Sequence, residues 1–198
     1  MKVEAIINKL NSNSAKNYSI KQTEELAKQI LQDCGFDHVV GATPIIKIAN
    51  TFGFLCLKAE NIPKDISGNI FVGGTTKDIY NSDKVIIVGC DEAYEHQRFI
   101  IAHELAHYLL DYLGSPESKN PKLLFSKTYP KTNHCSNEEI RADRFAAELL
   151  MPAKLFLKQY VKAMEVSDFN KKYTVSYLAT FFKTKRSSIE RRIDEVIS

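Results

Sequence analysis

His103-Glu104-Leu105-Ala106-His107 lies inside an apolar run, with Gln97-Arg98-Phe99-Ile100-Ile101-Ala102 before it and Tyr108-Leu109-Leu110 after it. Residues four apart share one face of a helix, one turn apart, so the two imidazoles can grip a single metal ion. The glutamate after the first histidine can then act as general base on a metal-activated water. The pattern predicts a metal helix from Tyr94 to Leu113, broken by Gly114-Ser115-Pro116.

A second segment completes the constellation. Glu139-Ile140-Arg141-Ala142-Asp143 again places two carboxylates four residues apart. A catalytic zinc site has three protein ligands and keeps a fourth position open for water, so Glu139 is the natural third ligand of a His₂Glu set. Asp143, one turn on, can accept a hydrogen bond from the second ring N–H of a ligand histidine. Glu138 competes for the ligand role, but its i+4 neighbour is Ala142, which offers no such support. An isolated pair of this kind is usually a solvated helix face. Downstream of an HExxH motif the ligand reading is preferred.

The rest of the chain fits around these two helices. Tyr18 to Cys34 reads as an amphipathic helix that stops at Gly35, and Pro44 to Thr51 as a second, followed by Gly53. Phe54 to Lys58, Gly68 to Gly73 and Lys84 to Gly89 are short β-type runs. A polar loop is expected from Gly114 to about Asn137. Helices are expected over Glu138 to Met151, from Pro152 to about Glu165, over Thr174 to Phe182 and over Ser187 to Ile197. Residues 1–17 read as a polar, frayed segment. A small sheet before the metal helix can offer an edge strand to an extended peptide. Gly68 to Gly73 is the candidate edge, with Gly68 and Ile70 as candidate substrate-binding residues.

Bulk properties bound the function. The 198 residues are 44% hydrophobic and 26% charged, enough for a sizeable core in a soluble protein. A net charge of +3 gives no bulk argument for nucleic-acid binding. Cys34, Cys56, Cys90 and Cys135 are scattered with no CxxC pair, which points to buried or free thiols in a reducing cytosol. No run reaches the roughly 18 apolar residues a membrane span needs. A cytoplasmic location without membrane association is expected, and oligomeric state is left open.

With both motifs in place, the chain resembles the ImmA/IrrE family of metallo-endopeptidases. The matching text runs from Gln97 to Leu110 and from Glu139 through Arg144-Phe145-Ala146-Ala147-Glu148-Leu149-Leu150-Met151-Pro152. The order of the motifs and the apolar tail of the second are far more specific than HExxH alone. The resemblance implies an α+β, zincin-like metallopeptidase domain with a small twisted sheet and an HExxH helix, over residues 18–170. A small helix-turn-helix-like pair, residues 171–198, packs on it. It implies His103, His107 and Glu139 as ligands of one zinc ion per chain, Glu104 as general base and Asp143 as the support of a ligand histidine. Imidazole and carboxylate ligands would also accept manganese, cobalt or iron. It further implies a protein substrate, a DNA-binding repressor of a mobile element or stress response.

Other residues carry weaker signals. Arg98 could bind substrate backbone or brace the site. His134-Cys135 precedes the glutamate helix and reads as a loop pair without a metal role. Lys171 to Ser198 carries seven basic and three acidic residues, with Lys185, Arg186, Arg191 and Arg192 on or near the second helix. That permits DNA contact, but a packing or substrate-docking role is favoured. The alternatives are a DNA- or repressor-binding module that does not cleave, or a toxin–antitoxin or phage-immunity partner acting by association.

Overall fold

A computed structural model describes residues 2–12, 17–38, 40–130 and 136–197. Its sheet is built from β1 (Leu55–Ala59), β2 (Ile66–Gly73), β3 (Lys84–Gly89) and β4 (Leu124–Pro130). The spatial order is β1-β3-β2-β4, with β1 parallel to β3 and β2 antiparallel to both of its neighbours. β3 is the most apolar strand, and Val85 and Ile86 are fully buried.

Two expectations about the sheet are corrected here. The segment from Gly114 to Asn137 is not all loop, because β4 lies within it. Most of β4 is exposed or half-buried and its middle is the polar run Ser126-Lys127-Thr128, so it lacks the apolar run that marks β3. In addition, β2 is not an edge strand, since β4 covers it and takes the edge. Ile70 is wholly buried. A Cβ on Gly68 would stand 2.4 Å from Ile100 Cγ2 and 3.0 Å from the Ile87 carbonyl oxygen. Gly68 therefore lets α5 (Tyr94–His107) approach the sheet, and both residues are buried rather than on an open edge.

The helices supply the other layer. α1 (Lys2–Ser12), α2 (Ile20–Asp33), α3 (Ile45–Thr51) and the short α4 (Thr76–Tyr80) precede α5 (Tyr94–His107). The segment expected to fray is thus in part α1, held by buried Val3, Ile6 and Leu10. Their spacing gives an apolar stripe that the polar residues between them disguise. α5 continues into a π-helical turn, Tyr108–Tyr112. Then come α6 (Asn137–Leu150), α7 (Ala153–Val166), α8 (Lys171–Phe182) and α9 (Arg186–Ile197). Gln97 Nε2 donates to the Gly89 and Glu92 carbonyls at 3.0 and 2.9 Å, fixing how the chain leaves β3 and enters α5. α5 packs directly on α6 and on the sheet, and α2 covers the other side of α6. Ala102 and Ala106 on α5 and Ala142 and Ala146 on α6 are fully buried, and such small side chains leave little bulk between closely packed helices.

The last two helices are moored by buried arginine chemistry. Arg192 is 2% exposed. Its Nη2 pairs with Glu148 on α6, its Nε donates to the Met151 carbonyl at 3.2 Å and its Nη1 to Glu195 at 3.2 Å. Glu148 also accepts from the Ala153 backbone N–H at 3.1 Å, tying the start of α7 into the same knot. Arg192 is thereby removed from the group of basic residues that could face DNA. Among the described residues no helix is long and apolar enough to cross a membrane. Cys34, Cys56 and Cys90 are free thiols, and burial pushes Cys56 up to about 11. Cys135, with His134, lies outside the described residues.

Two stability outcomes follow. Gly68→Ala should cost about 1–3 kcal/mol by overpacking Ile100. Arg192→Ala should cost about 3–5 kcal/mol, because it leaves Glu148 buried without its counter-charge. Both are read as lowered urea midpoints. An unchanged midpoint for either variant contradicts the packing described.

Candidate metal centre

Packing α5 on α6 brings the two i,i+4 pairs together. His103 Nε2 and His107 Nε2 are 3.0 Å apart. Glu139 reaches both, with Oε2 3.0 Å from His103 Nε2 and Oε1 3.2 Å from His107 Nε2. The three residues are the group that could hold a metal ion among those described, with one ligand atom from each lying within 4.8 Å of the others. Both histidines are buried, and the Glu139 side chain is 16% exposed. Glu138 points elsewhere, paired with Lys127 at 2.5 Å and half-exposed.

The far side of each imidazole is held by a carboxylate. His103 Nδ1 meets Asp143 Oδ1 at 3.0 Å, as the i+4 argument expected. His107 Nδ1 meets Asp111 Oδ2 at 2.5 Å. With Nδ1–H donating outward, each Nε2 can turn a lone pair inward once its own proton is displaced. Two imidazole nitrogens and a carboxylate then converge on one point, and N/O donors in this number suit zinc.

Glu104 gives the second sign of fit. It is fully buried, and neither carboxyl oxygen has a hydrogen-bond partner among the described residues. Burial, with some help from Glu139, pushes its carboxyl up to about 8 against the pull of His103 and Lys127. Such an orphaned group is costly unless something absent from the protein itself engages it. Burial also opposes charge on His103 and His107. The hydrogen bonds that His103 donates to Asp143 and Glu139 outweigh it, as do those that His107 donates to Asp111 and Glu139, so both stand above the ordinary imidazole value. Glu139 is held well below the carboxylate range. Burial would raise it, but its bonds to the two histidines dominate.

Asp111 and Tyr129 are the site residues that sequence reasoning missed. Asp111 sits at i+4 from His107, the same signal that found Asp143, but on the π-helical turn rather than in a second motif. It also pairs with Lys127 at 3.1 Å and faces Arg141 at 3.6 Å. Tyr129 lies on β4, the strand not anticipated, and its ring packs edge-on against His103 with centroids 4.6 Å apart. Burial, reinforced by Asp143, Glu139 and Glu104, holds its phenol above the ordinary value, so it remains an O–H donor. His96, bonded to Glu92 at 2.6 Å, packs against its other side. Arg98 takes no position facing the centre. It is buried, its Nε donates to the Lys183 carbonyl at 3.2 Å, and it lies over Tyr94, bracing the turn between α8 and α9. A cavity of about 570 Å³ opens beside the centre, with Phe99, Tyr129, Asp143, Met151, Lys185 and Arg191 in its walls.

The family model described as the IrrE N-terminal-like domain, a peptidase family, matches residues 71–194. The chain belongs to that family. The fold is similar to that of a solved Mycobacterium tuberculosis transcriptional regulator, with a TM-score of 0.54, 17% sequence identity, and 98% of this chain and 52% of that chain covered. The chain thus spans about half the length of that protein. No curated protein matches the sequence.

The donor set leads to a direct measurement. Protein loaded with zinc and desalted should retain about one zinc per chain, with most of it lost in His103→Ala and His107→Ala. Glu139→Ala should weaken binding sharply, whereas Glu138→Ala should not. Elemental analysis of the five proteins checks this, and zinc retained in both histidine variants would remove the basis of the assignment.

Proposed function

We propose that this protein is a zinc-dependent endopeptidase that hydrolyses a peptide bond in a DNA-binding regulator, a helix-turn-helix repressor or a similar protein. The observation that carries the reading is Glu104, a wholly buried carboxyl group with no hydrogen-bond partner among the described residues, beside the converging nitrogens of His103 and His107 and the carboxylate of Glu139. Zinc bound there supplies a Lewis acid that polarises a carbonyl and makes water more acidic.

Each step then falls to a named side chain. His103, His107 and Glu139 hold the ion, and Asp143 and Asp111 keep both imidazoles in the tautomer that turns Nε2 inward. Glu104 takes the proton of the attacking water and passes it to the departing amine nitrogen. Tyr129 donates its O–H toward the carbonyl oxygen as that oxygen gains negative charge. β4 is the edge strand nearest the centre, and its outer side pairs with no strand among the described residues. An extended peptide can add to it through main-chain hydrogen bonds, the role first expected of β2. The regulator as substrate rests on the family resemblance, and the name of the solved transcriptional regulator with this fold accords with it. The DNA-reading alternative is not favoured, because Arg192 is committed to Glu148 and leaves fewer charges for phosphate contact.

The decisive comparison is of new protein N-termini in cells expressing wild type, Glu104→Gln or Tyr129→Phe. Wild type should generate termini that Glu104→Gln does not, with zinc still bound in the variant. Tyr129→Phe should generate the same termini more slowly, by about 10²-fold if it supplies an oxyanion donor. The same termini at wild-type rate from Glu104→Gln would overturn the general-base role.

A further inference from the structure

We infer that Arg191, near the end of the sequence, is a positioning residue for the metal centre: it grips the Asp143 carboxylate that in turn fixes His103. This rests on the metal-binding reading of His103, His107 and Glu139. Asp143 is shared between two partners on opposite sides. Its Oδ1 meets His103 Nδ1 at 3.0 Å, and its Oδ2 accepts from Arg191 Nη1 at 3.2 Å. A carboxylate held by one oxygen can still swing about its terminal bond. Held by both, its plane is set, and with it the direction of the imidazole it supports.

The arginine is delivered by a helix that is anchored independently of Asp143. The next residue, Arg192, is buried against Glu148 and the Met151 carbonyl, Ile189 and Ile193 are buried on the same helix, and Arg144 pairs with Glu195 at 2.6 Å. Arg191 itself is 67% exposed. Exposed ion pairs contribute little to stability, so its loss should leave the fold intact and alter only what Asp143 does. In this way α9, about fifty residues beyond the last ligand, acts on the first one.

The test is zinc affinity, measured by competition with a chromophoric chelator, with thermal melts run alongside. Losing an outer-shell partner typically weakens metal binding about 10–100-fold, and Arg191 stands one bond further out, so Arg191→Ala should weaken zinc by about 3–10-fold with an unchanged melt. Arg191→Lys should restore part of the loss. Asp143→Asn separates positioning from packing. Its amide oxygen can still accept from His103, but its NH₂ then faces the arginine and cannot hold it. In that background, removing Arg191 should change nothing more. Equal zinc affinity in wild type and Arg191→Ala overturns the inference, as does a loss of the same size in the Asp143→Asn background. If wild type binds no zinc, the metal reading itself falls, and this inference with it.

Discussion

Two imidazole nitrogens and a carboxylate face one another at about 3 Å inside this protein, and holding them there is the constraint around which its helices are arranged. Such a cluster needs support from outside. Asp143 and Asp111 accept from the Nδ1 sides of His103 and His107, and Lys127 and Arg141 offset the negative charge of Asp111. Glu104, without a hydrogen-bond partner among the described residues, sits beside them. Polar groups buried this way cost stability, so the surrounding core must be large enough to carry them. The fully buried residues of α5, α6 and β3 provide it.

The geometry depends on close approach. α5 carries the histidines, α6 the carboxylates, and no bond crosses between them unless the two helices are near. Buried alanines on both helices, and Gly68 under α5, keep bulk out of the places where backbones meet. The π-helical turn after His107 belongs to the same economy. It follows His107 directly and carries Asp111 back onto that histidine. Wider turns of this kind are frequent at functional sites, where they redirect side chains.

The C-terminal helices are bound to this core by specific polar bonds rather than by apolar contact alone. Arg98 reaches from the ligand helix to the Lys183 carbonyl, and Arg192 reaches from α9 to Glu148 on the carboxylate helix. A buried pair such as Arg192–Glu148 adds little net stability over an apolar substitute, but breaking it is costly. It fixes where α9 sits against α6, and so where Arg191 and the cavity wall stand relative to the metal centre.

Much of the candidate centre was legible in the sequence, because the residues that could hold a metal come from i,i+4 pairs within single helices. His103 with His107, and Glu139 with Asp143, need only helical periodicity to be found, and the choice of Glu139 over Glu138 followed from the same spacing. The parts that were not legible arise from contacts between elements. β4 is an edge strand with little buried surface, so its pattern is faint, and Tyr129 was hidden with it. The position of β2 could not be read because strand order depends on which partner lies alongside. Arg98 was open between a substrate contact and a brace, and Arg192 was counted with the basic tail, since nothing local announces the carbonyl or carboxylate that buries them. The sequence by itself determined which side chains could bind a metal, since that is a matter of local helical phase. Only the tertiary structure decided what holds those side chains, what covers the sheet and where the basic tail is anchored, since each depends on partners that are distant along the chain.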